Sequence, residues 1–294
     1  MKTRELQTRA EVLTEALPYI QQLRGATVVV KYGGAAMVDE SLKSQVLSDL
    51  ALLHYVGLKL VLVHGGGKEI SALMKRVGKE PQMVAGRRVT DSETMELTEM
   101  VLSGTINKEL VAGLNSRGLK AVGISGRDAN LMRATKFVSE DDPSLDYGRV
   151  GVIQRVNAEL LESLTYHGYV PVVSPVSDDE QGESLNVNAD DAASALAEGL
   201  KADKLVLLSD VPGVLADASD PSTLISVIET NEVEQLIAQG TITGGMVPKV
   251  RALRQAVESG VGKVHLVDGR IPHSLLMELF TDKGIGTLIE PGEE

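Results

Sequence analysis

The chain alternates short apolar runs with segments of helical periodicity, and this alternation limits its possible folds more than any other feature. Six runs rich in β-branched and aliphatic residues are typical of buried strands: TVVVKY, KLVLVH, LKAVGIS, YVPVVSP, DKLVLLSD and GKVHLVDG. Helical patterns lie between most of them, at residues 40–56, 69–77, 94–117, 159–166, 189–200, 233–239 and 248–259. Repeated strand, helix and strand predict an α/β protein with a mainly parallel open sheet covered on both faces.

Three stretches depart from this alternation. Residues 127–157 and 175–187 are rich in Asp, Gly, Pro and Ser with short apolar alternations, a pattern typical of hairpins that decorate a sheet. Residues 3–23 show helical periodicity, and Pro18 is expected to kink that helix or end it near Leu17. One apolar stripe of this helix consists of Leu6, Ala10, Leu13, Leu17 and Ile20. The stripe must be buried either against its own domain or against another subunit.

Composition removes several classes of function. The chain has no cysteine, which excludes disulfides, thiolate zinc sites and a cysteine nucleophile, and its five histidines show no HxxxH or HExxH spacing. We therefore expect no metal site built by the protein itself. A formal charge of −12 argues against a nucleic-acid binder. The charged first twenty residues are not typical of a secretory signal, and no apolar run approaches the ~20 residues needed to cross a membrane. We expect a cytoplasmic protein.

Glycine clusters follow the first two predicted strands. Lys31 precedes Gly33 and Gly34, and the second strand runs into Gly65, Gly66 and Gly67 before a helix. Successive N–H groups at such places can bind anions, although a plain strand-to-helix turn is the alternative interpretation of each. Neither cluster has the G-x-G-x-x-G or the G-x-x-x-x-G-K-[ST] spacing. Two such nests at neighbouring strand ends favour two anionic ligands that meet head to head.

Polar residues cluster at two further helix starts. Arg87 and Arg88 precede a helix that Thr90 or Asp91 can cap, and either arginine could clamp a carboxylate or form a solvated surface pair. The segment ESLNVNADD places Asn186, Asn188 and Asp190 where Asn188 or Asp190 can cap a helix. The same groups could instead face a ligand and orient cationic partners.

The second half of the chain begins with the strand at 204–209 and offers a site for a different ligand. Ser209-Asp210 followed by a Pro212-Gly213 turn suits the edge of an adenine or ribose pocket. Pro248 is expected at the first position of a helix, which places Lys249 in its first turn, where the helix dipole disfavours a cation. A phosphate at that point would offset the cost. Phosphoryl transfer needs positioned reactants and positive charge, which Lys31 and Lys249 supply.

In this order, KYGG, HGGGxEI, GxRVTD, NVNAD, LLSDVPGVL and GGMxPK resemble the amino acid kinase family over residues 26–290. The pair RVTD and NVNAD resembles its N-acetylglutamate-phosphorylating branch. The resemblance implies a three-layer αβα sandwich. It divides the chain into an oligomerisation helix at 1–25, an N-terminal lobe at 26–200 for N-acetylglutamate and dimer contact, and an ATP-binding lobe at 201–294.

The resemblance also implies residue roles. Lys31 and Lys249 would stabilise the transition state, with Asp190 holding both lysines in place. Gly66, Gly67, Arg88 and Asn186 would bind N-acetylglutamate. The residues implied for ATP are Gly33, Gly34, Asp210, Val211, Pro212, Gly213, Val214, Leu215, Thr241, Ile242 and Thr243. Mg²⁺ would be held chiefly through the nucleotide phosphates. Arg87 stands where many members of the family have an apolar residue, which leaves Arg87 as an alternative clamp, but the distance to Val89-Thr90 favours Arg88.

The two chain ends resemble the arginine-inhibited members of the family. There an extra N-terminal helix joins three dimers into a hexamer, and arginine binds beside it. The resemblance implies the arginine contacts Tyr19, Lys204, His265, Glu278 and Gly284, and it allows a PII-type nitrogen-signalling protein as a partner. The alternative is that Glu278 is a solvated helix residue and the N-terminal helix packs locally.

The implied reaction converts N-acetyl-L-glutamate to N-acetyl-L-glutamyl 5-phosphate, the second step of arginine biosynthesis. Another acyl or carbamate kinase of the same fold is one rival, and a nucleotide-sensing regulator without catalysis is another. Retention of both Lys31 and Lys249 disfavours the regulator, because sensing needs no charge pair at the γ-phosphoryl group. A nicotinamide dehydrogenase is disfavoured by the missing dinucleotide fingerprint.

Overall fold

The structure of the chain is a computed structural model that describes residues 2–37, 39–84, 86–139 and 142–292. The predicted domain ranges also include residues 1, 38, 85, 140, 141, 293 and 294, which lie outside the described residues. Over the described ranges, no helix is both long enough and apolar enough to cross a membrane.

Fourteen strands are present in the described ranges. In chain order they are β1 (Thr27–Tyr32), β2 (Lys59–His64), β3 (Met83–Val84), β4 (Arg87–Arg88), β5 (Ala121–Ser125), β6 (Met132–Lys136), β7 (Val150–Val156), β8 (Val170–Ser174), β9 (Val176–Asp178), β10 (Ser184–Val187), β11 (Lys204–Ser209), β12 (Val227–Glu229), β13 (Lys263–Asp268) and β14 (Thr287–Glu290). The six strands expected from the apolar runs are β1, β2, β5, β8, β11 and β13.

The helices are α1 (Lys2–Glu15), α2 (Leu17–Leu23), α3 (Glu40–Tyr55), α4 (Gly67–Arg76), α5 (Ser92–Glu99), α6 (Asn107–Asn115), α7 (Glu159–Tyr166), α8 (Ala189–Leu200), α9 (Val233–Ala238), α10 (Met246–Glu258) and α11 (Ser274–Leu279). Short 3₁₀ helices span Gly34–Met37, Asp128–Asn130 and Pro221–Thr223. The predicted N-terminal helix breaks at Ala16, and Pro18 lies in the first turn of α2.

One eight-stranded sheet forms the centre of the molecule, in the order β12-β14-β13-β11-β1-β2-β8-β5. Every neighbouring pair in it is parallel except β13 with β14. The predicted mainly parallel sheet is therefore confirmed. The sheet continues across the predicted lobe boundary, because β1 pairs with β11 from Val28 opposite Lys204 to Lys31 opposite Leu207.

Helices cover both faces of this sheet, and successive strand residues enter two separate cores. Val28 and Val30 join a cluster with α3, α4, α6 and α11, whereas Val29 joins a cluster with α7, α8, α9 and α10. Each fully buried valine or leucine contributes roughly 1.5–3 kcal/mol to folding, so a strand buried on both faces must be apolar throughout. The predicted three-layer αβα sandwich is confirmed.

The two predicted hairpin regions form one small second sheet. Strands β6 and β7 pair antiparallel, as do β9 and β10, and β10 also pairs with β7 in parallel while β6 meets β9 at Arg133 and Asp178. The hairpins were predicted, but their mutual pairing was not. Sequence alternation indicates which residues share a face of a strand, and it does not indicate which strands pair over long distances.

The helix predicted at 94–117 contains a π-helical segment, Met100–Ile106, between α5 and α6. This segment buries Val101, Leu102 and Ile106 against the first core. A π-helix places side chains at a different angular spacing from an α-helix, and such segments are frequent at functional sites. Apolar periodicity alone did not predict it.

Candidate functional site

Three charged side chains from separate elements meet at the carboxyl ends of the central strands. Lys31 lies near the end of β1, Asp190 in the first turn of α8 and Lys249 in the first turn of α10. Lys31 Nζ lies 2.9 Å from Asp190 Oδ1, and Lys249 Nζ lies 3.5 Å from Asp190 Oδ2. Lys249 Nζ also donates to Ser209 Oγ at 3.2 Å, at the last residue of β11.

The cap of α8 leaves the Asp190 carboxylate available for the lysines. Asn188, and not Asp190, caps the helix: its Oδ1 accepts from the N–H groups of Asp190 and Asp191 at 2.7 and 3.3 Å. Burial alone would raise the pKa of Asp190, but the two lysines Lys31 and Lys249 lower it by a larger amount. Its pKa therefore lies below the ordinary value of an aspartate. Asp190 is therefore ionised at neutral pH.

The cluster carries an uncompensated positive charge. Two ammonium groups face one carboxylate, and in the described part of the chain no other carboxylate lies within ion-pair distance of Lys31 or Lys249. The net charge of the three side chains is thus +1 at a strand-end position. Such a cluster favours the approach of an anion.

Helix α10 begins earlier than the sequence indicated. Its first residue is Met246, so Pro248 occupies the third helical position, and the prediction that it would be first was wrong. The first four N–H groups of a helix lack intrahelical acceptors, so a proline at the third position costs no hydrogen bond. Lys249 remains in the first turn, where Asp190 supplies an anion that offsets the unfavourable helix dipole.

The structure separates the two adjacent arginines. Arg88 is only 9% exposed, and its Nη2 donates to Gly67 O and Ser71 Oγ, both at 2.8 Å. Burial lowers its pKa, and no carboxylate of the described chain lies within ion-pair distance of it. Arg87 instead packs over the Phe137 ring, 4.2 Å from the centroid, and lies 3.8 Å from Asp191. Arg88 is thus a buried cation without a carboxylate partner.

Two adjoining cavities connect Arg88 with the glycine clusters. One, of about 200 Å³, is lined by Gly65, Gly66, Gly67, Arg88 and Asn186 among others. A second, of about 600 Å³, shares Gly66, Gly67 and Arg88 and extends to Gly34. A further cavity, of about 730 Å³, lies beside the second sheet and is lined by none of the residues predicted to bind substrate.

The residues expected around ATP fall into two groups. Asp210 and Thr243 are exposed at the ends of their loops, while Val211, Pro212, Leu215 and Thr241 are half-buried. Val214 and Ile242 are buried in the second core, so their side chains support the loops from beneath. Gly213 and Val214 lie against Thr287, whose Oγ1 accepts from Val214 N at 2.8 Å. Gly33 and Gly34 follow β1 directly, beside Lys31.

Three of the five residues expected to contact arginine, Lys204, His265 and Glu278, form one series of hydrogen bonds, and a fourth, Gly284, packs against it. Lys204 Nζ lies 3.4 Å from His265 Nε2, and His265 Nδ1 lies 2.7 Å from Glu278 Oε1. Glu278 Oε2 accepts from Ile285 N at 2.7 Å and from Gly286 N at 2.9 Å. Gly284 has φ +60°, and a Cβ there would lie 2.5 Å from Glu278 Oε2, so only glycine fits without displacement.

Burial and hydrogen-bond partners determine the protonation states of His265 and Glu278. Burial lowers the pKa of His265, and Lys204 lowers it further against the opposing effect of Glu278, so His265 is neutral. Burial raises the pKa of Glu278, but its bonds to His265 and Ile285 N lower it more, so Glu278 is ionised. Tyr19 does not belong to this series of hydrogen bonds; its hydroxyl donates to Asp282.

Sequence reasoning did not predict a role for several residues of these sites. Asp282 and Ile285 become visible only through their contacts with Tyr19 and Glu278. His64 and Asn107 lie behind the Gly65–Gly67 cluster, and neither belongs to a motif with an obvious chemical role. A histidine at the end of an apolar strand was the one available signal.

Comparison with known proteins identifies the family of this chain. The family model of the amino acid kinase family matches residues 26–268, and the chain belongs to that family. The chain is 52% identical over 286 residues to the acetylglutamate kinase of Moorella thermoacetica, covering 96% of this chain and 97% of that protein. It is 53% identical over 286 residues to the acetylglutamate kinase of Desulfitobacterium hafniense, covering 95% and 96%. The predicted family is confirmed.

Solved structures share the fold. N-acetylglutamate synthase from Neisseria gonorrhoeae, complexed with coenzyme A and N-acetyl-glutamate, is similar with a TM-score of 0.84 at 27% identity over 97% of this chain. The present chain spans 64% of that synthase chain. The same synthase complexed with coenzyme A and L-arginine has a TM-score of 0.78 at 26% identity, covering 96% and 65%. Carbamate kinase from Giardia lamblia bound to AMP-PNP has a TM-score of 0.66 at 19% identity, covering 91% and 99%.

Proposed function

We propose that this chain transfers the γ-phosphoryl group of ATP to the side-chain carboxylate of N-acetyl-L-glutamate. The product is N-acetyl-L-glutamyl 5-phosphate, and the reaction is the second step of arginine biosynthesis in the cytoplasm. The observation that carries the proposal is the pairing of Lys31 and Lys249 with one carboxylate, Asp190, between the two glycine clusters. Relatives named acetylglutamate kinase at 52–53% identity support the choice of substrate.

The two lysines act on the transferring group. As the bond to the leaving oxygen of ADP lengthens, negative charge accumulates on the γ-phosphoryl oxygens, and preorganised cations stabilise that charge. Asp190 does not touch the reacting atoms in this scheme; it holds both ammonium groups in position and is a positioning residue. Its single negative charge leaves the cluster at +1, so the lysines remain attractive to phosphate.

N-acetylglutamate binds in the cavities beside Arg88. A buried guanidinium without a carboxylate partner is costly, and a bidentate α-carboxylate of the substrate removes that cost. Asn186 lines the same cavity and can bond to the acetylated nitrogen or its carbonyl. Gly66 and Gly67 present their N–H groups to the carboxylate that receives the phosphoryl group.

ATP occupies the other side of the lysine cluster. Gly33 and Gly34 face its phosphates, and the loops at 210–215 and 241–243 form the edge of its base and ribose site. In the described residues no group of three or more His, Asp or Glu side chains is arranged to hold a metal ion. We therefore assign Mg²⁺ to the nucleotide phosphates, whose negative charge it would neutralise when bound. The N-terminal lobe at 26–200 thus takes the acyl substrate, and the lobe at 201–294 takes ATP.

A hydroxylamine trap tests the proposal directly. The purified chain is incubated with ATP, Mg²⁺ and hydroxylamine, and the acyl hydroxamate is measured with N-acetylglutamate, glutamate or aspartate as acceptor. ADP release with bicarbonate and ammonia tests the carbamate kinase alternative. We expect hydroxamate with N-acetylglutamate and little with the other acceptors. ADP release confined to bicarbonate and ammonia would assign the chain to the carbamate kinases, and no turnover with any acceptor would favour the regulator.

A second proposal concerns control by L-arginine. Lys204, His265 and Glu278 form a hydrogen-bonded series of charged and polar side chains. This series lies at the opposite end of β11 from the lysine cluster, because Lys204 is the first residue of β11 and Ser209 is the last. Glu278 offers a carboxylate for a guanidinium, and Tyr19 and Asp282 lie at the junction with α2. A structural neighbour solved with L-arginine adds support. The assembly proposed for this control is a hexamer built of three dimers.

The N-terminal helix supports that assembly. Leu6, Leu13 and Leu17 are 62%, 72% and 48% exposed, so most of the predicted stripe is not covered by its own chain. Burying three leucines against another subunit would contribute several kcal/mol, on the order of 1.5–3 kcal/mol each. A PII-type protein as a further partner of the assembly is part of the same proposal.

A further inference from the structure

His64 is a buried histidine that the phosphoryl-transfer scheme does not use. It is the last residue of β2, fully buried, and directly precedes the glycine cluster. Its Nδ1 lies 2.9 Å from Gly65 O, and its Nε2 lies 3.3 Å from Asn107 Nδ2. A carbonyl oxygen only accepts, so Nδ1 carries the proton and donates to Gly65. Burial lowers the pKa of His64 to about 4, which keeps the ring neutral and Nε2 free to accept.

Asn107 fixes this tautomer from the other side. Its Nδ2 donates one hydrogen to Val172 O at 2.8 Å, and its other hydrogen has two acceptors at 3.3 Å, His64 Nε2 and Ile124 O. Its Oδ1 accepts from Lys108 Nζ at 3.1 Å, which settles the orientation of the amide. The amide therefore presents a donor, not an acceptor, to His64 Nε2. A Cβ at Gly123 would lie 1.9 Å from Asn107 Oδ1, so the chain keeps this space open for the asparagine.

The bond to His64 determines the direction of the next N–H group. In a trans peptide the C=O of one residue and the N–H of the next point in opposite directions. Gly65 C=O points to the buried imidazole, so Gly66 N–H points away from it, and Gly66 lines both cavities beside Arg88. The N–H groups of Gly66 and Gly67 donate to no acceptor within the described residues, whereas Gly65 N–H is held by Tyr32 O at 2.9 Å.

We propose that His64 is a positioning residue for phosphoryl transfer: its Nδ1–H fixes the Gly65–Gly66 peptide so that Gly66 N–H stays directed at the carboxylate that receives the phosphoryl group. The inference rests on the function proposed above. Charge on that carboxylate and on the γ-phosphoryl oxygens changes during transfer, and an N–H held in place needs no reorganisation at that moment. Asn107 holds His64, and Lys108 holds Asn107.

Two substitutions separate positioning from packing. In His64→Asn the amide nitrogen takes approximately the place of Nδ1 and can still donate to Gly65 O. In His64→Gln the amide reaches the place of Nε2 and leaves Gly65 O without its donor. Asparagine leaves the larger cavity, so a role in packing alone predicts that His64→Asn is the more impaired variant. Positioning predicts the opposite order.

We expect His64→Gln to lower kcat for N-acetylglutamate by about 10- to 100-fold, with the KM for ATP within about 2-fold. His64→Asn should keep kcat within about 5-fold of the unsubstituted chain. His167→Gln is the matched control, because His167 Nδ1 also lies 2.8 Å from a carbonyl, Ser163 O, at an exposed helix end. It should change neither constant. Equal losses of kcat in the two His64 variants, or a greater loss in His64→Asn, would overturn the proposal.

Measurements on the unsubstituted chain keep the proposal testable if both variants fold poorly. Imidazole ¹⁵N spectra at pH 7 should show His64 protonated at Nδ1 and unprotonated at Nε2, and the other tautomer would refute the geometry. With ¹⁵N-glycine labelling, the Gly66 amide should shift when N-acetylglutamate and a non-hydrolysable ATP analogue bind. An unmoved Gly66 amide in a chain that forms hydroxamate would refute the proposal and leave the function standing. Absence of hydroxamate from the unsubstituted chain would refute the function instead, since the tautomer is read without ligands.

Discussion

Lys31 Nζ lies 2.9 Å from Asp190 Oδ1, although one residue belongs to the first strand of the sheet and the other to a helix far along the chain. Parallel pairing of β1 with β11 and β2 brings the carboxyl ends of these strands to one edge, and Asn188 caps α8 so that Asp190 faces that edge. Lys249 then reaches the same carboxylate from α10. One aspartate thus links three elements of the sandwich at the proposed site of transfer.

Removal of either lysine should stop most of the reaction. We expect Lys31→Ala or Lys249→Ala to lower kcat by at least about 100-fold, because each removes a cation that stabilises transition-state charge. The melting temperature should change little, since both side chains are partly exposed. Lys59→Ala is the control. Lys59 is the first residue of β2 and pairs with the start of β1, so it lies at the amino ends of the strands, away from Lys31. Steady-state kinetics measure kcat for each variant, and a near-normal kcat in either lysine variant would contradict the assigned role.

Substitution of the two arginines should have unequal effects. Arg88→Lys should raise the KM for N-acetylglutamate about 10-fold or more, because a point charge replaces a bidentate clamp, while the KM for ATP stays unchanged. Arg87→Lys should have a smaller effect, since Arg87 packs on Phe137 and lies near Asp191. The reverse order would assign the clamp to Arg87.

The enzyme should prefer N-acetylglutamate strongly over free glutamate. The free ammonium of glutamate would lose its hydration beside a buried guanidinium without gaining a partner, and buried unpaired charge is expensive. We expect kcat/KM to differ by at least about 100-fold. Equal kcat/KM for the two acceptors, measured by hydroxamate formation, would show that the acetyl group is not recognised.

Deletion of residues 1–25 should separate activity from control. We expect the full chain to be a hexamer inhibited by L-arginine and the shortened chain to be an active dimer with much weaker inhibition. Arginine should weaken N-acetylglutamate binding, and N-acetylglutamate should weaken arginine binding by the same factor. Light scattering and inhibition curves on both proteins test this. A full-length dimer, or undiminished inhibition after deletion, is incompatible with the proposal.

Acid should destabilise the chain partly through His64. Its pKa falls to about 4 in the folded state, below the ~6.5 of an unfolded histidine, so the unfolded chain binds the proton more tightly. Stability from the neutral ring is complete above pH 6.5 and is lost as the pH falls towards 4. The loss amounts to about 3 kcal/mol at 1.36 kcal/mol per pKa unit. Urea unfolding at pH 7 and pH 4 should show this extra loss in the unsubstituted chain and not in His64→Asn; equal losses would contradict it.

Much of the fold followed from local pattern. The apolar runs at 59–64 and 204–209 became central strands because a strand buried on both faces must be apolar throughout, whatever its neighbours. The short strands β12 and β14 were not predicted, since four residues or fewer carry too little periodicity. The π-helical segment was also missed, because its apolar residues satisfy an α-helical pattern equally well.

The sequence by itself determined the α/β class, the strand-end glycine clusters and the family, because apolar periodicity and turn chemistry act between residues close in the chain. Only the tertiary structure decided between alternatives that depend on distant partners. It made Asn188 the cap and left Asp190 to the lysines, and it buried Arg88 while placing Arg87 against Phe137. It also placed His64 behind the Gly65–Gly66 peptide. Burial and hydrogen-bond partners are set by strand order and helix packing, which no short stretch of sequence contains.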